Sequence, residues 1–442
     1  MVLCMGLNGA CARWTDRSQG ILDVRAIAIG VDVWTDDESI RALDGSRDSL
    51  PDRTPDASPP DVPSDAPDDA GSPDAIADIA PDAAAACDAA TCPRVRGLAL
   101  GDDGFTFAVY ADGRVACWGG NGNGQLGMGD TVSVLRPTLN PYLSDVVEMG
   151  AGVRHACARV RDGSLYCWGN NDFGQASATA APNVYSPRRF PGLDGVLQLV
   201  VGRGHNCVLQ AGGVVRCWGE FSTGDPGSGA SPRIPTVVSL SASAIRLSAQ
   251  GSTTCAELTT GAVACWGRND SGQLGDGTMS TSTSSRSIVI GLSAPRAFAV
   301  GGVHACAIDS TGAVWCWGSN SCAALGNPPG NSLVPRPVAG LVGASLVTLG
   351  HVHSCVFRAG AGVECWGSGT TRGFGPSVAD WGAAPTLIAG TRSTEIVESG
   401  WNHVCAVMNG SRDVACWGTN RVGELGGTLA PGETIVRVAL PP

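Results

Sequence analysis

Between residues 94 and 442, apolar and polar positions alternate in short runs cut by Gly, Asn, Asp or Pro. No run keeps the i, i+3, i+4 spacing of an amphipathic helix. The period is two, which predicts short strands joined by turns. The pattern also repeats. Cys-Trp-Gly occurs at Cys117, Cys167, Cys217, Cys265, Cys316, Cys365 and Cys416, a spacing of 48 to 51 residues. Aligned on that cysteine, one unit reads apolar-x-x-apolar-x-x-Gly, x-x-His-x-Cys-apolar, a turn, Val-x-Cys-Trp-Gly, x-Asn-x-x-Gly-Gln-Leu-Gly, a variable stretch, and Pro-x-x-Val-x-Gly-Leu. Four short strands per unit of this length describe a propeller blade, stacked on its neighbours. Val95–Leu100 offers a first inner strand and Thr434–Leu440 a last outer one, so the units are expected to close face to face.

The cysteines sharpen this reading. Six units carry a second cysteine ahead of the first: Cys157–Cys167, Cys207–Cys217, Cys255–Cys265, Cys306–Cys316, Cys355–Cys365 and Cys405–Cys416. Direct pairing of Cys157 with Cys167 centres the turn on Asp162, with Gly163 next, and Gly recurs at that offset as Gly113, Gly213, Gly261 and Gly312. Directly opposed residues on antiparallel strands lie about 4.5–5.5 Å apart at Cα, within disulfide reach. Cross-strand disulfides are therefore expected, each contributing about 2–3 kcal/mol at most. The spacing does not fit the close CxxC knuckles of zinc sites. A chain this long does not need such bonds for its core, so their number points to an oxidising compartment. Cys87 and Cys92 are expected to bridge locally. Cys117 has lost its hairpin partner to Phe107, which leaves it to reach Cys92 or Cys87. Cys322 interrupts a Gly-Gln-Leu-Gly-type turn and is expected to be free.

Charge divides the chain. The formal net charge of the whole is −11, yet residues 48–92 alone hold eleven Asp against one Arg. Pro-rich and self-repelling, this stretch reads as a disordered spacer. The expected organisation is thus 1–47, an N-terminal segment of unclear status resembling a degraded export signal; 48–92, the Asp/Pro/Ala-rich spacer; and 93–442, the propeller. Cys11 in Leu-Asn-Gly-Ala-Cys faintly resembles a lipid-attachment cysteine, which leaves envelope anchoring open. The repeat region is nearly neutral, which argues against a nucleic-acid partner. No stretch is long and apolar enough to span a bilayer as a helix.

Histidine recurs two residues before the first cysteine, as His155, His205, His304, His353 and His403, with Phe105 and Thr253 in the other two units. A metal ring is one reading. The plainer one is structural: each His shares a strand face with its disulfide and hydrogen-bonds within its own blade. No metal or other cofactor is expected. The Cys-Trp-Gly tryptophans are read as packing between blades.

The motifs Val-x-Cys-Trp-Gly-x-Asn-x-x-Gly-Gln-Leu-Gly, as in 263–275, and Gly-x-x-His, as in 202–205, resemble the regulator of chromosome condensation family of repeats over about residues 94–442. The resemblance implies an all-β fold, a seven-bladed β-propeller of four-stranded antiparallel blades. The nucleotide-exchange role of eukaryotic members fits poorly with the disulfides and the spacer. A secreted bacterial propeller that inhibits β-lactamases is a nearer parallel in architecture. Fold alone does not fix function.

No GxSxG, HExxH, P-loop or paired-carboxylate signature is present. The first expectation is a non-catalytic, exported or cell-surface module for protein binding or inhibition. Glycan binding, with Trp401 or Trp381 as a stacking surface, and a propeller hydrolase or lyase are the alternatives. Function is sought where the units differ. The residues following the inner-strand glycine nominate Arg154, Arg203, His351 and Trp401 as a partner-binding rim around the mouth. Phe173 and Phe221, in the turns after Cys-Trp-Gly, join them.

Overall fold

Each repeat folds as four consecutive antiparallel strands. In the second blade these are Val146–Ala151, His155–Val160, Leu165–Asn170 and Asn183–Arg189. The structure, a computed structural model, describes residues 94–442 apart from 180, 221–231, 281, 327–329, 369–381, 409, 411–412 and 429–434. It also describes two short strands, Val2–Cys4 and Cys11–Arg13, which pair antiparallel with Cys4 opposite Cys11. Phe221, Trp381, Cys87, Cys92 and the spacer lie outside the described residues.

Seven four-stranded antiparallel sheets of this kind follow one another along the chain. The first strands, Val95–Gly101, Val146–Ala151, Val196–Val201, Ala244–Gln250, Ala297–Val300, Ala344–Leu349 and Thr394–Ser399, neighbour one another all the way round, the seventh against the first. They form the inner ring of a seven-bladed propeller. Blade one is complete from Val95–Gly101 to Val134–Leu139, and blade seven from Thr394–Ser399 to Val436–Val438. The ring therefore closes face to face, without exchange of strands between the chain's two ends.

Local geometry follows the cysteine spacing. Cys157 stands opposite Cys167, the turn closes with Val160 N donating to Ser164 O, and Gly163 takes φ 83°. That left-handed backbone is open to glycine without a Cβ penalty. Six disulfides join the second and third strands of blades two to seven, with Cα–Cα distances of 4.1 to 4.2 Å. These are shorter than expected because the cysteines occupy non-hydrogen-bonded pairs, where strands run closest. In blade one Phe107 faces Cys117, a buried free thiol in contact with Met128 Sδ at 3.6 Å. Cys117 thus bonds neither Cys87 nor Cys92. Burial in this apolar place pushes its pKa up to about 12. Cys322 is itself disulfide-bonded, contrary to the free thiol expected of it.

The core lies between blades. The Trp of each Cys-Trp-Gly is at most 1% exposed. Its indole Nε1 donates to a loop carbonyl of the preceding blade: Trp118 to Glu424 O, Trp168 to Gln125 O, Trp218 to Gln175 O, Trp317 to Gln273 O and Trp366 to Ala324 O, at 2.8 to 3.2 Å. For the remaining two, the equivalent loops lie outside the described residues.

The histidines correct the expectation made from their shared strand face. They bond to the next blade, not their own. Nε2 of His155 meets Asn206 Oδ1 at 3.0 Å, His205 meets Thr254 Oγ1 at 2.7 Å, His304 meets Ser354 Oγ at 2.8 Å, and His403 meets Thr106 Oγ1 at 2.9 Å across the closing seam. The partner always follows the next blade's own histidine slot. Where the slot holds Phe105 or Thr253, the facing residue is Ala156 or Ala305. His353 is the exception: it faces Val404, and its Nε2 has no partner. The sheet face that carries each histidine packs against the following blade, so Nε2 meets its partner across the blade interface.

Candidate binding rim at the channel mouth

The loops between first and second strands meet around one mouth of the central channel. Backbone bonds link them from blade to blade: Asp102 N to Gly152 O at 3.0 Å, Val153 N to Arg203 O at 2.9 Å, Arg203 N to Gly251 O at 2.6 Å, Gly302 N to Gly350 O at 3.0 Å and His351 N to Trp401 O at 3.1 Å. The first residue of each loop thereby lies on one of two hydrogen-bonded arcs, blades one to four and blades five to seven, that make up a hoop round the mouth. Read round the ring, these seven equivalent residues are Asp102, Val153, Arg203, Gly251, Gly302, His351 and Trp401.

A volume rule sets up the hoop. In six blades the inner strand ends in Gly101, Gly152, Gly202, Gly301, Gly350 or Gly400, and an aromatic ring, Phe105 or one of the five histidines, lies over it. A Cβ at any of these glycines would meet ring carbon, overlapping it in most blades. Blade four lacks the ring, having Thr253, and there the glycine is replaced by Gln250. Its side chain reaches across the channel: the amide nitrogen lies 3.4 Å from Ser399 O, and with the amide turned over it donates to Leu349 O at 2.6 Å and Val300 O at 3.1 Å. It also hydrogen-bonds the carboxyl of Asp102. In one orientation the amide reaches blade seven and in the other blades five and six, so either way one side chain of blade four reaches other blades across the channel.

The rim is chemically uneven. His351 and Trp401, nominated separately from the sequence, stack on each other with ring centroids 3.9 Å apart and planes 16° apart. Both are half-buried. Arg154 is exposed and paired with Asp103, Nε to Oδ2 at 3.1 Å. Arg203 is half-buried, and its guanidinium makes no hydrogen bond or ion pair with any described residue. Phe173 lies in the loop between the third and fourth strands of blade two and is 40% exposed.

Sequence reasoning missed Asp102, Gln250 and Glu398. Blade one carries one extra residue in its loop, Asp102-Asp103-Gly104, which hid Asp102 from alignment on the histidine slot. Gln250 was readable as the one unit that loses ring and glycine together. Glu398 follows no repeat pattern, because side chains on the first strands vary freely at the channel wall. Asp102 is half-buried and Glu398 is exposed to the channel; the crowding of protein round them pushes each carboxyl up to about 7. For Asp102 the Gln250 hydrogen bond and the nearby Arg203 pull the other way, and Asp103 adds to the rise.

The regulator of chromosome condensation (RCC1) repeat matches residues 95–125, 146–175 and 296–323 in one form, and 112–159 and 162–209 in another. Among solved structures, human WBSCR16 is similar with a TM-score of 0.65 and 22% identity, covering 72% of this chain and 87% of that one. Yeast RCC1 (Prp20), solved bound to Kap60, is similar with a TM-score of 0.64 and 20% identity over 74% of this chain and 83% of that one. Prp20p from Saccharomyces cerevisiae, described with its binding to Gsp1p and histones, gives 0.65 and 19% over 74% and 86%. At these identities the likeness is one of fold. No curated protein matches the sequence. The chain is a seven-bladed propeller whose residues 95–209 and 296–323 match the regulator of chromosome condensation (RCC1) repeat.

Proposed function

We propose that this propeller is an exported or cell-surface module that holds a protein partner on its rim without catalysing a reaction on it. One observation carries the reading. Seven equivalent backbone positions are held in two hydrogen-bonded arcs round one mouth, yet they present an acid, an aliphatic residue, a cation, two glycines, an imidazole and an indole. A rigid scaffold with divergent display is the arrangement of a recognition surface. Arg, Trp and the stacked His–Trp pair are residue types that anchor interfaces. That yeast RCC1 was solved bound to Kap60 makes protein binding a role this fold can serve. The six disulfides support an oxidising location, since cytosolic thiols are kept reduced.

The test is recovery of crosslinked partners from intact cells with the native protein and with the Arg203→Ala/Trp401→Ala double variant. The variant is expected to lose them. Unchanged recovery discards the rim, and a cytoplasmic protein with twelve reduced thiols at the paired positions discards export. The stacked aromatic pair also favours a second reading, glycan binding at His351 and Trp401, which a glycan array on the same two proteins separates from the first.

A further inference from the structure

The junction of blades six and seven departs from the rule that the other histidines follow. Elsewhere Nε2 meets a polar side chain on the second strand of the next blade. Here the receiving position is Val404, and His353 Nε2 is buried without a hydrogen-bond partner among the described residues. A second polar atom at this junction is unpaired in the same way. Ser399 is 8% exposed, and its Oγ has no partner among the described residues either. Ser399 stands directly across the sheet from Val404. Directly opposed residues share a face, with Cβ atoms about 4.5–5.5 Å apart. The hydroxyl that Val404 lacks is therefore present on the neighbouring strand.

Comparison of the blades isolates Ser399. Its equivalents are Leu100, Ala151, Val201, Ala249, Val300 and Leu349, all apolar. A hydroxyl occurs there only in the blade that meets a histidine with an apolar receiver. Thr348, on the inner strand of blade six, is the third polar group of the cluster. Its Oγ1 accepts from Ser399 N at 2.9 Å, which leaves its own proton to give. Buried polar atoms left unpaired are costly. The offset of one strand between Ser399 and the usual receiver is the span of one bridging molecule, two hydrogen bonds of about 2.8 Å each. No carboxylate belongs to the cluster: Glu398 is next in the strand and points to the opposite face. A cation would find no countercharge there. The ligand that fits is neutral, both donates and accepts, and takes about three partners, which describes water.

We propose that Thr348 Oγ1, His353 Nε2 and Ser399 Oγ bind one buried water between blades six and seven, and that this water positions the His351–Trp401 stack. His351 lies two residues before His353, and Trp401 two residues after Ser399. The two loops are already joined by His351 N donating to Trp401 O at 3.1 Å, with the rings stacked on each other. The water adds a second tie behind the first, so the stacked rings are held from the interior. Ser399 and His353 are positioning residues and touch no partner. What the tie does for recognition rests on the rim being the binding surface; the water site itself does not.

The test is a crystal structure of the full chain and a cycle of Ser399→Ala, Val404→Thr and the two combined. The structure should show one water within hydrogen-bond distance of all three atoms. A direct bond between Ser399 and His353, or no water between them, overturns the site. Ser399→Ala should lower the melting temperature, although alanine is the native residue at two equivalent positions, Ala151 and Ala249. Val404→Thr supplies the receiver that the other histidines have, so in that background Ser399→Ala should cost nothing. An equal drop in both backgrounds, or none in either, overturns the site as well. Positioning is read by NMR in the same four proteins. The Trp401 indole shifts the His351 ring protons upfield; Ser399→Ala should reduce that shift, and adding Val404→Thr should restore it. An unchanged shift in Ser399→Ala overturns the positioning role. Partners retained by the rim variant discard the rim and leave the water site standing, and a missing water does the reverse.

Discussion

A glycine and a ring share one volume at the mouth end of six blades, and this coupling is testable at a single pair. Gly202→Ala places a methyl group where the His205 ring stands. The backbone there is not left-handed, so the penalty is overpacking, about 1–3 kcal/mol. Blade four shows the compensated form, with Gln250 and Thr253. A double-mutant cycle with His205→Thr, read by chemical denaturation, should recover much of the loss, leaving a coupling of about 1 kcal/mol or more. Strict additivity would show that ring and glycine are independent. The same logic explains what the histidines are for. Each fills the glycine's missing volume and carries one polar tip to the next blade, and Asn206, Thr254, Ser354 and Thr106 are spaced to receive it.

At the level of the blade, the hairpin was legible in full from cysteine spacing and the recurring glycine. So was the absence of a bond in blade one, where Phe107 replaces the partner of Cys117. Phe107→Cys should form a seventh cross-strand disulfide, and thiol titration should then find no free Cys117. Stability should nonetheless gain nothing. A ten-residue loop is worth about 2–3 kcal/mol, whereas Phe107 is fully buried and packs edge-on against Phe105 and Trp168. Its loss costs about 3–5 kcal/mol. A clear rise in melting temperature would contradict that balance. Blade interfaces were less legible than blades. Strand alternation reports which residues share a face, but a face belongs to two blades at once, and only packing shows which neighbour a side chain serves. The histidines were assigned to the wrong side of that interface for this reason. The rim was legible by internal comparison wherever units aligned without insertion, which reached Arg203, His351 and Trp401 but not Asp102.

Across the whole ring, the buried titratable groups set a pH dependence. Burial lowers His155, His205 and His403 to about 4, and His304 and His353 to about 3. Between those values and the unfolded pKa near 6.5 the unfolded chain binds the extra protons, so this contribution is present above pH 6.5 and is lost on acidification. Asp102, half-buried, and Glu398, exposed and therefore largely screened by solvent, are raised to about 7 and act in the opposite sense: the folded state binds their protons, and that contribution is lost as pH rises through 7. Five groups outweigh two. Stability should level off above about pH 7 and fall below pH 6.5 with a limiting slope of about 4 kcal/mol per pH unit. Denaturant unfolding at pH 5, 6.5 and 8 checks the sign, and a maximum at pH 5 would refute it. The closing seam has a further consequence. Its His403–Thr106 bond and Trp118–Glu424 bond are of the same kind as those at other junctions, and Tyr110 and Arg114 of blade one bond the carbonyls of Pro441 and Pro442. The chain ends here therefore mark a seam that the ring itself does not distinguish. Joining Pro442 to Arg94 through a short linker and opening the chain between blades two and three, near Gly195, should give a circular permutant with the same six disulfides and an intact rim. The order of the blades round the ring, not the place where the polypeptide starts, carries the architecture.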